Sequence, residues 1–336
     1  MISKIWAGAA CAGALALAAL GLTAPAASAQ TASLYSSAVS QPTDLIVLSD
    51  GGPAYVSSNT GVYYLPTPGG TPVLVSGVRQ YRELTRMADG SLLAASASNG
   101  NIYRLNAGCT TLAGCAETLF ASIGGGSGAY GVAVDNVNSH VFFTAYDTGT
   151  IRRTDLSGAG MVTFASGLVG PAGLEIGSDG FLYLGDSDNK RVLRYPANCT
   201  APCTTGTVFV SGGTITSTRG VSRSSSGIMF ISDGGALGSG KVYTVGPAGG
   251  TPVQYSALAV NGIESIYLID GTNTLYVSGG VGGGSPNTYK ISVAAAAAAL
   301  ATAVPTMTEW AMILFAMLMV GGGALIVWRR QASLTA

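Results

Sequence analysis

The sequence predicts an all-β fold, a six-bladed β-propeller, with a signal peptide before it and a transmembrane helix after it. Three observations carry this prediction. Between Gln30 and Ala303, runs of four to seven residues rich in Val, Ile, Thr, Tyr and Phe alternate with Gly, Pro, Asn and Asp clusters, the strand-and-turn signature. No amphipathic helical window of useful length interrupts them. Glycine is abundant (49 of 336 residues) and charge is scarce (10%), as expected of many tight turns around buried strands. The same stretch carries six internal repeats of roughly 40 to 50 residues, the period of four-stranded propeller blades.

The elements follow in order. Residues 1–29 have the parts of a secretory signal peptide: Lys4, an apolar Ala/Leu-rich stretch from Ile5 to Leu22, and Ala27-Ser28-Ala29 as the small-residue cleavage site. Signal peptidase is therefore an expected partner, and an uncleaved N-terminal anchor is the alternative. Residues 30–293 are assigned to the propeller. Aligned on the turn before each innermost strand, the repeats start at Asp44, Glu83, Gly131, Gly173, Gly220 and Glu264. Second strands align as Ala54-Tyr55-Val56, Leu92-Leu93-Ala94, Val141-Phe142-Phe143, Leu182-Tyr183-Leu184, Met229-Phe230-Ile231 and Leu275-Tyr276-Val277. Third strands run through Tyr63, Tyr103, Arg152, Leu193, Tyr243 and Tyr289. The sixth repeat lacks an outermost strand, while Ser33 to Ser37 forms a spare strand ahead of the first repeat. That segment is expected to complete the last blade and close the ring, removing open sheet edges.

Export leaves four cysteines in the mature chain. Cys109 and Cys115 follow the third strand of blade two, and Cys199 and Cys203 follow the third strand of blade four. Equivalent loops carry equivalent pairs, so Cys109 is expected to join Cys115 and Cys199 to join Cys203 in the oxidising exterior. A zinc site is disfavoured because the two spacings, in separate blades, do not match ligand patterns.

Residues 294–303 are an Ala-rich linker. Residues 304–336 open with Val304-Pro305-Thr306-Met307-Thr308-Glu309-Trp310, continue uncharged from Trp310 to Trp328 as a transmembrane helix (310–328), and close with Arg329-Arg330. At about 1.5 Å per residue this span is roughly 28 Å long, close to the ~30 Å hydrocarbon core, and the arginines belong inside. The tail resembles the IPTL-CTERM sorting domain of Gram-negative bacteria: Pro305, Thr306 and Trp310 match its pattern, Val304 and Met307 replace its Ile and Leu, and Ala311 replaces its glycine. The resemblance implies an exosortase-like sorting enzyme as partner and display on the cell surface or release. An unprocessed membrane anchor is the plainer alternative.

Blade four carries a second resemblance. Pro171-Ala172-Gly173-Leu174, Asp179-Gly180-Phe181-Leu182-Tyr183-Leu184 and the Asp186-to-Val192 stretch look like an NHL repeat, and less closely like the SMP-30/gluconolactonase group. NHL propellers mostly bind partners, whereas the gluconolactonase group are metal-dependent lactone hydrolases; fold alone does not choose. In that group the metal ligands include an Asn and an Asp just before the repeat glycine. Here that column reads Thr43, Arg82, Tyr130, Ala172, Arg219 and Ile263, so the family site is not reproduced. The propeller-shaped streptogramin lyases rely on histidines; the single histidine, His140, is placed at the opposite end of its blade and reads as a solvated turn residue.

What remains is a candidate channel mouth. Asp44, Glu83 and Glu264 are expected to converge there from blades one, two and six, with Arg82, Arg219, Tyr81 and Tyr130 nearby and Asp147, Asp186, Asp188 and Asp233 farther out. Three carboxylates suit Ca²⁺ through oxygen ligands, or raise one another's pKa for acid/base work; otherwise the arginines and solvent neutralise them. Asp186-Ser187-Asp188-Asn189 begins like a calcium loop, but Lys190 takes the next ligand position, so it reads as a turn capped by aspartate. No catalytic residue is assigned. Removing Lys4, Arg329, Arg330 and Glu309 from sixteen basic and sixteen acidic residues leaves 13 against 15, a net of −2, with no electrostatic footprint for nucleic acid. Two function classes stand: an exported binding module whose ligand the sequence does not name, and a hydrolase or lyase built on the carboxylates, with Ca²⁺ its only candidate cofactor.

Overall fold

The computed structural model describes residues 32–124, 126–235, 240–258, 262–272, 274–279 and 287–292. The signal peptide, the Ala-rich linker and the sorting tail with its transmembrane helix lie outside the described residues.

The described chain is all β, with 24 strands in six four-stranded antiparallel sheets. In five sheets the strands are consecutive from the centre outward. In the sixth, the outermost strand is Ala32–Ser36, paired antiparallel to Asn287–Ser292 with Leu34 opposite Tyr289, so the start of the domain closes its last blade as the spare strand predicts. Tyr35 fixes that closure: its ring meets Tyr276 edge-on at 5.2 Å and its hydroxyl donates to the Gly52 carbonyl at 2.5 Å.

The core is distributed between blades. Period-two alternation gives each blade two apolar faces, and each face packs on its neighbour's. Between blades three and four, Phe142, Phe164, Leu182 and Tyr195 form one such layer, with the aromatic rings edge to face. Fully burying one such side chain contributes about 1.5–3 kcal/mol. Both expected disulfides form, Cys109–Cys115 and Cys199–Cys203, each stapling the loop after a third strand.

The innermost strands are Pro42–Val47, Tyr81–Arg86, Ala129–Asp135, Pro171–Ile176, Thr218–Arg223 and Ile263–Ile269. Each has a register shift after its first residue, the mark of a bulge that turns the next side chains toward the channel. Beyond the bulge the pairs are Leu45 with Val56, Leu84 with Ala94, Val132 with Phe143, Leu174 with Leu184, Val221 with Ile231, and Ile266 with Val277. The residue before each pair is then Asp44, Glu83, Gly131, Gly173, Gly220 and Ser265. Blade six is thus one residue out of the sequence alignment: Ser265 holds the position expected for Glu264, and Glu264 moves up beside Thr43, Arg82, Tyr130, Ala172 and Arg219. The glycines in this column let blades close in on the channel; a Cβ on Gly173 would sit 2.6 Å from the Arg219 carbonyl oxygen.

Candidate functional site

The channel is built in three levels. At the mouth stand the bulge residues Thr43, Arg82, Tyr130, Ala172, Arg219 and Glu264, above a constriction of about 20 Å³ that also touches Asp44, Glu83 and Ser265. Below it a cavity of about 290 Å³ is walled by Ile46, Thr85, Ala133, Glu175, Ser222 and Tyr267, two residues further along each strand on the same face.

Asp44, Glu83 and Glu264 all line the constriction, with Glu264 one position nearer the mouth than the sequence register placed it. Among the described residues, no group of three or more His, Cys, Asp or Glu side chains is arranged to hold a metal ion. Asp44 and Glu83 instead tie blades together. Asp44 accepts the Leu84 amide at 2.6 Å and the Ser265 hydroxyl, joining blades one, two and six. Glu83 Oε2 accepts the amides of Val132 and Leu174 at 3.0 and 3.1 Å, joining blades two, three and four. Burial pushes the Asp44 carboxyl up to about 7, its hydrogen bonds opposing the shift. Burial and then the charge of Asp44 hold Glu83 well above the carboxylate range, and burial does the same to Glu175, whose Oε2 has no hydrogen-bond partner. The middle of the channel is therefore lined by carboxyls that resist ionisation.

The mouth has a different chemistry. The Arg82 guanidinium lies over the Tyr130 ring at 5.0 Å, Tyr130 stacks on Tyr146 at 4.4 Å with a 26° tilt, and Arg219 lies over Tyr146 at 5.8 Å. Burial works against the charge of Arg219, but Glu264, Tyr146 and Tyr130 outweigh it and raise its pKa.

Of the residues expected at the mouth, Arg82, Tyr130, Arg219 and Glu264 come together there, and Asp44 and Glu83 lie beneath them. Tyr81 does not: it precedes the bulge, so its ring is fully buried between blades one and two, with its hydroxyl between Arg79 and Glu117. Three of the four outlying aspartates are loop staples, while Asp188 is held through its backbone amide, which donates to the Val169 carbonyl. Asp147 accepts the Gly128 amide, Asp186 the Val169 amide together with Asn189 and Arg191, and Asp233 the amides of Thr216 and Ser217. Asp186 thus caps a turn. His140 is not a solvated turn residue; it begins the strand His140–Ala145, half-buried and edge-on to Phe142, with its pKa lowered by burial and by Arg153.

Sequence reasoning missed Tyr146, Glu175 and Tyr267. Glu175 was within reach of period-two alternation, two residues after Gly173; Tyr267 was not, because the sequence register set Glu264 in the column and so pointed to Ile266. Tyr146 directly follows a second strand, a position with no periodic signal.

Fold and site define a closed six-bladed β-propeller with a basic, aromatic mouth over a carboxyl-lined channel. The chain also carries an IPTL-CTERM motif, matched over residues 302–332, a sorting signal that directs an exported protein to the surface. No curated protein matches the chain in sequence. Among solved structures it is similar to a calcium-binding protein, regucalcin, from Agrobacterium tumefaciens (TM-score 0.62, 13% identity, covering 79% of this chain and 94% of that one). It is also similar to a putative gluconolactonase (0.61, 14%, 80% and 93%) and to virginiamycin B lyase from Staphylococcus aureus (0.53, 16%, 70% and 77%). At these identities the likeness is one of fold.

Proposed function

We propose that the ectodomain is an exported, surface-displayed binding module that engages its ligand at the channel mouth without chemistry. The carrying observation is the mouth ring itself: Thr43, Arg82, Tyr130, Ala172, Arg219 and Glu264 offer cations and rings, while the nearest carboxyls below are committed to backbone amides of neighbouring blades. In this reading signal peptidase removes residues 1–29, the helix 310–328 holds the chain in the membrane, and an exosortase-like enzyme cuts near Val304 to Trp310.

The alternative, a lactone hydrolase or lyase, draws on Asp44, whose pKa of about 7 suits a general acid or base, and on the shape shared with a gluconolactonase and a lyase. Metal analysis of the purified ectodomain, a thermal shift with and without EDTA, and a lactonase assay separate the two. The binding reading expects no stoichiometric ion, no EDTA shift and no turnover. A divalent ion lost in Glu83→Ala or Glu264→Ala would overturn it. Intact mass of the native product tests sorting: the span is expected to be missing, and full-length protein through Ala336 in the membrane would reduce the tail to an anchor.

A further inference from the structure

We propose that the channel mouth is a dianion site, in which Arg82 and Arg219 each hold one oxyanion group, carboxylate or phosphate, of a small ligand lying across the mouth. The inference names the ligand class of the binding module proposed above and rests on that reading.

Arg82 and Arg219 occupy the same bulge position in blades two and five, which face each other across a ring of six. Both lie against the tyrosine pair, Arg82 over Tyr130 and Arg219 over Tyr146, with the two rings stacked on each other. A guanidinium donates in its plane; part of the Arg219 edge goes to the Tyr146 hydroxyl, and the remaining N–H groups of the two arginines are free for a ligand. Neither arginine forms an ion pair within 4.0 Å among the described residues, and the Nε of each is buried without a hydrogen-bond partner. Buried, unmatched guanidinium donors are answered best by oxyanions, which accept two parallel N–H bonds.

Geometry then selects the shape of the ligand. The two guanidiniums stand on opposite blades of the ring, which suits two oxyanion groups joined by a short chain or ring, one for each arginine. The constriction below has room for little more than a water, which seats the ligand on the mouth rather than in the channel. Arg219 is fixed in place by Gly234, where a Cβ would stand 2.5 Å from Arg219 Cγ. Glu264 offsets part of the Arg219 charge, so Arg82 is the stronger anchor and Glu264 weakens the site.

Titration calorimetry on the disulfide-intact ectodomain, with acetate, inorganic phosphate, suberate and hexane-1,6-diol bisphosphate as probes, tests the proposal. The two dianions distinguish carboxylate from phosphate. At least one is expected to bind about tenfold or more tightly than its single-headed counterpart. Arg82→Gln and Arg219→Gln are each expected to weaken it about tenfold or more, Arg82→Lys to weaken it less, and Glu264→Gln to tighten it several-fold. Melting curves of each variant establish that it is folded. Neither dianion binding at about 10 mM, folded arginine variants binding like the wild type, or Glu264→Gln weakening the complex would overturn the proposal. Failure on these counts leaves the binding module standing; a stoichiometric metal, or turnover of a lactone, removes the binding module instead.

Discussion

Glu83 of blade two accepts the Leu174 amide of blade four at 3.1 Å, across 91 residues of sequence, and the same oxygen accepts the Val132 amide of blade three. Asp44 does the equivalent for blades one, two and six. The rest of the ring is tied by Ser222 of blade five, which accepts the Leu268 amide of blade six at 3.2 Å, and by Glu175, which takes hydrogen bonds from Arg223 and Ser222. The bulges turn backbone amides toward the channel, and a few side-chain acceptors answer them.

This makes Glu83 a structural acceptor, and two substitutions read that role. Glu83→Ala strands the amides of Val132 and Leu174 and is expected to cost roughly 2 to 5 kcal/mol in denaturant unfolding, at about 1–3 kcal/mol for each unsatisfied buried group. Glu83→Gln keeps a carbonyl oxygen with two lone pairs and is expected to stay within about 1 kcal/mol of the wild type. Equal losses in the two variants would show that charge, rather than acceptor geometry, matters at this position.

The raised carboxyl of Asp44 gives stability an unusual pH dependence. Its pKa moves from 3.8 to about 7 on folding, so between those values the unfolded chain releases a proton that the folded chain keeps. Stability contributed by this group is full below about pH 4 and declines as pH rises toward 7. Glu83 and Glu175, raised in the same direction, extend the decline upward. Asp44→Asn removes the Asp44 share: its oxygen still accepts the Leu84 amide and its amide donates to the Ser265 hydroxyl. Melting temperatures from pH 4 to 8 should fall less steeply in Asp44→Asn than in the wild type, and identical slopes would locate the titration elsewhere.

Sequence periodicity was enough to find the blades, because second strands such as Leu182-Tyr183-Leu184 and Leu275-Tyr276-Val277 share a pattern that burial on both faces imposes. It was not enough to fix the first strand of blade six. Ile263-Glu264-Ser265 contains neither the repeat glycine nor a second acidic candidate, and only pairing of Ile266 with Val277 shows that Ser265 holds the column. That one residue shapes the site, since it sets Glu264 one position nearer the mouth than Asp44 and Glu83 along the same constriction. Tyr81 and Arg82 make the same point: adjacent in sequence, they lie on opposite sides of a bulge, one in the core and one at the mouth.

Ring closure offers the last prediction. Ala32–Ser36 pairs with the last blade, and Tyr35 and Val39 are both buried against it beside Tyr276. Deleting residues 31–40 removes two buried apolar side chains and a row of ladder bonds, a loss of roughly 5 kcal/mol, which for a domain of this size lowers the melting temperature by about 10 °C or more. The deletion also uncovers the edge of Asn287–Ser292, so the variant should associate with rising concentration. A synthetic peptide of residues 31–40 added in trans should raise the melting temperature and suppress that association, because it restores the same pairs that place Leu34 opposite Tyr289. An unchanged melt on deletion would mean that the between-blade cores close the ring without the strand, and that its pairing adds protection of the edge rather than stability.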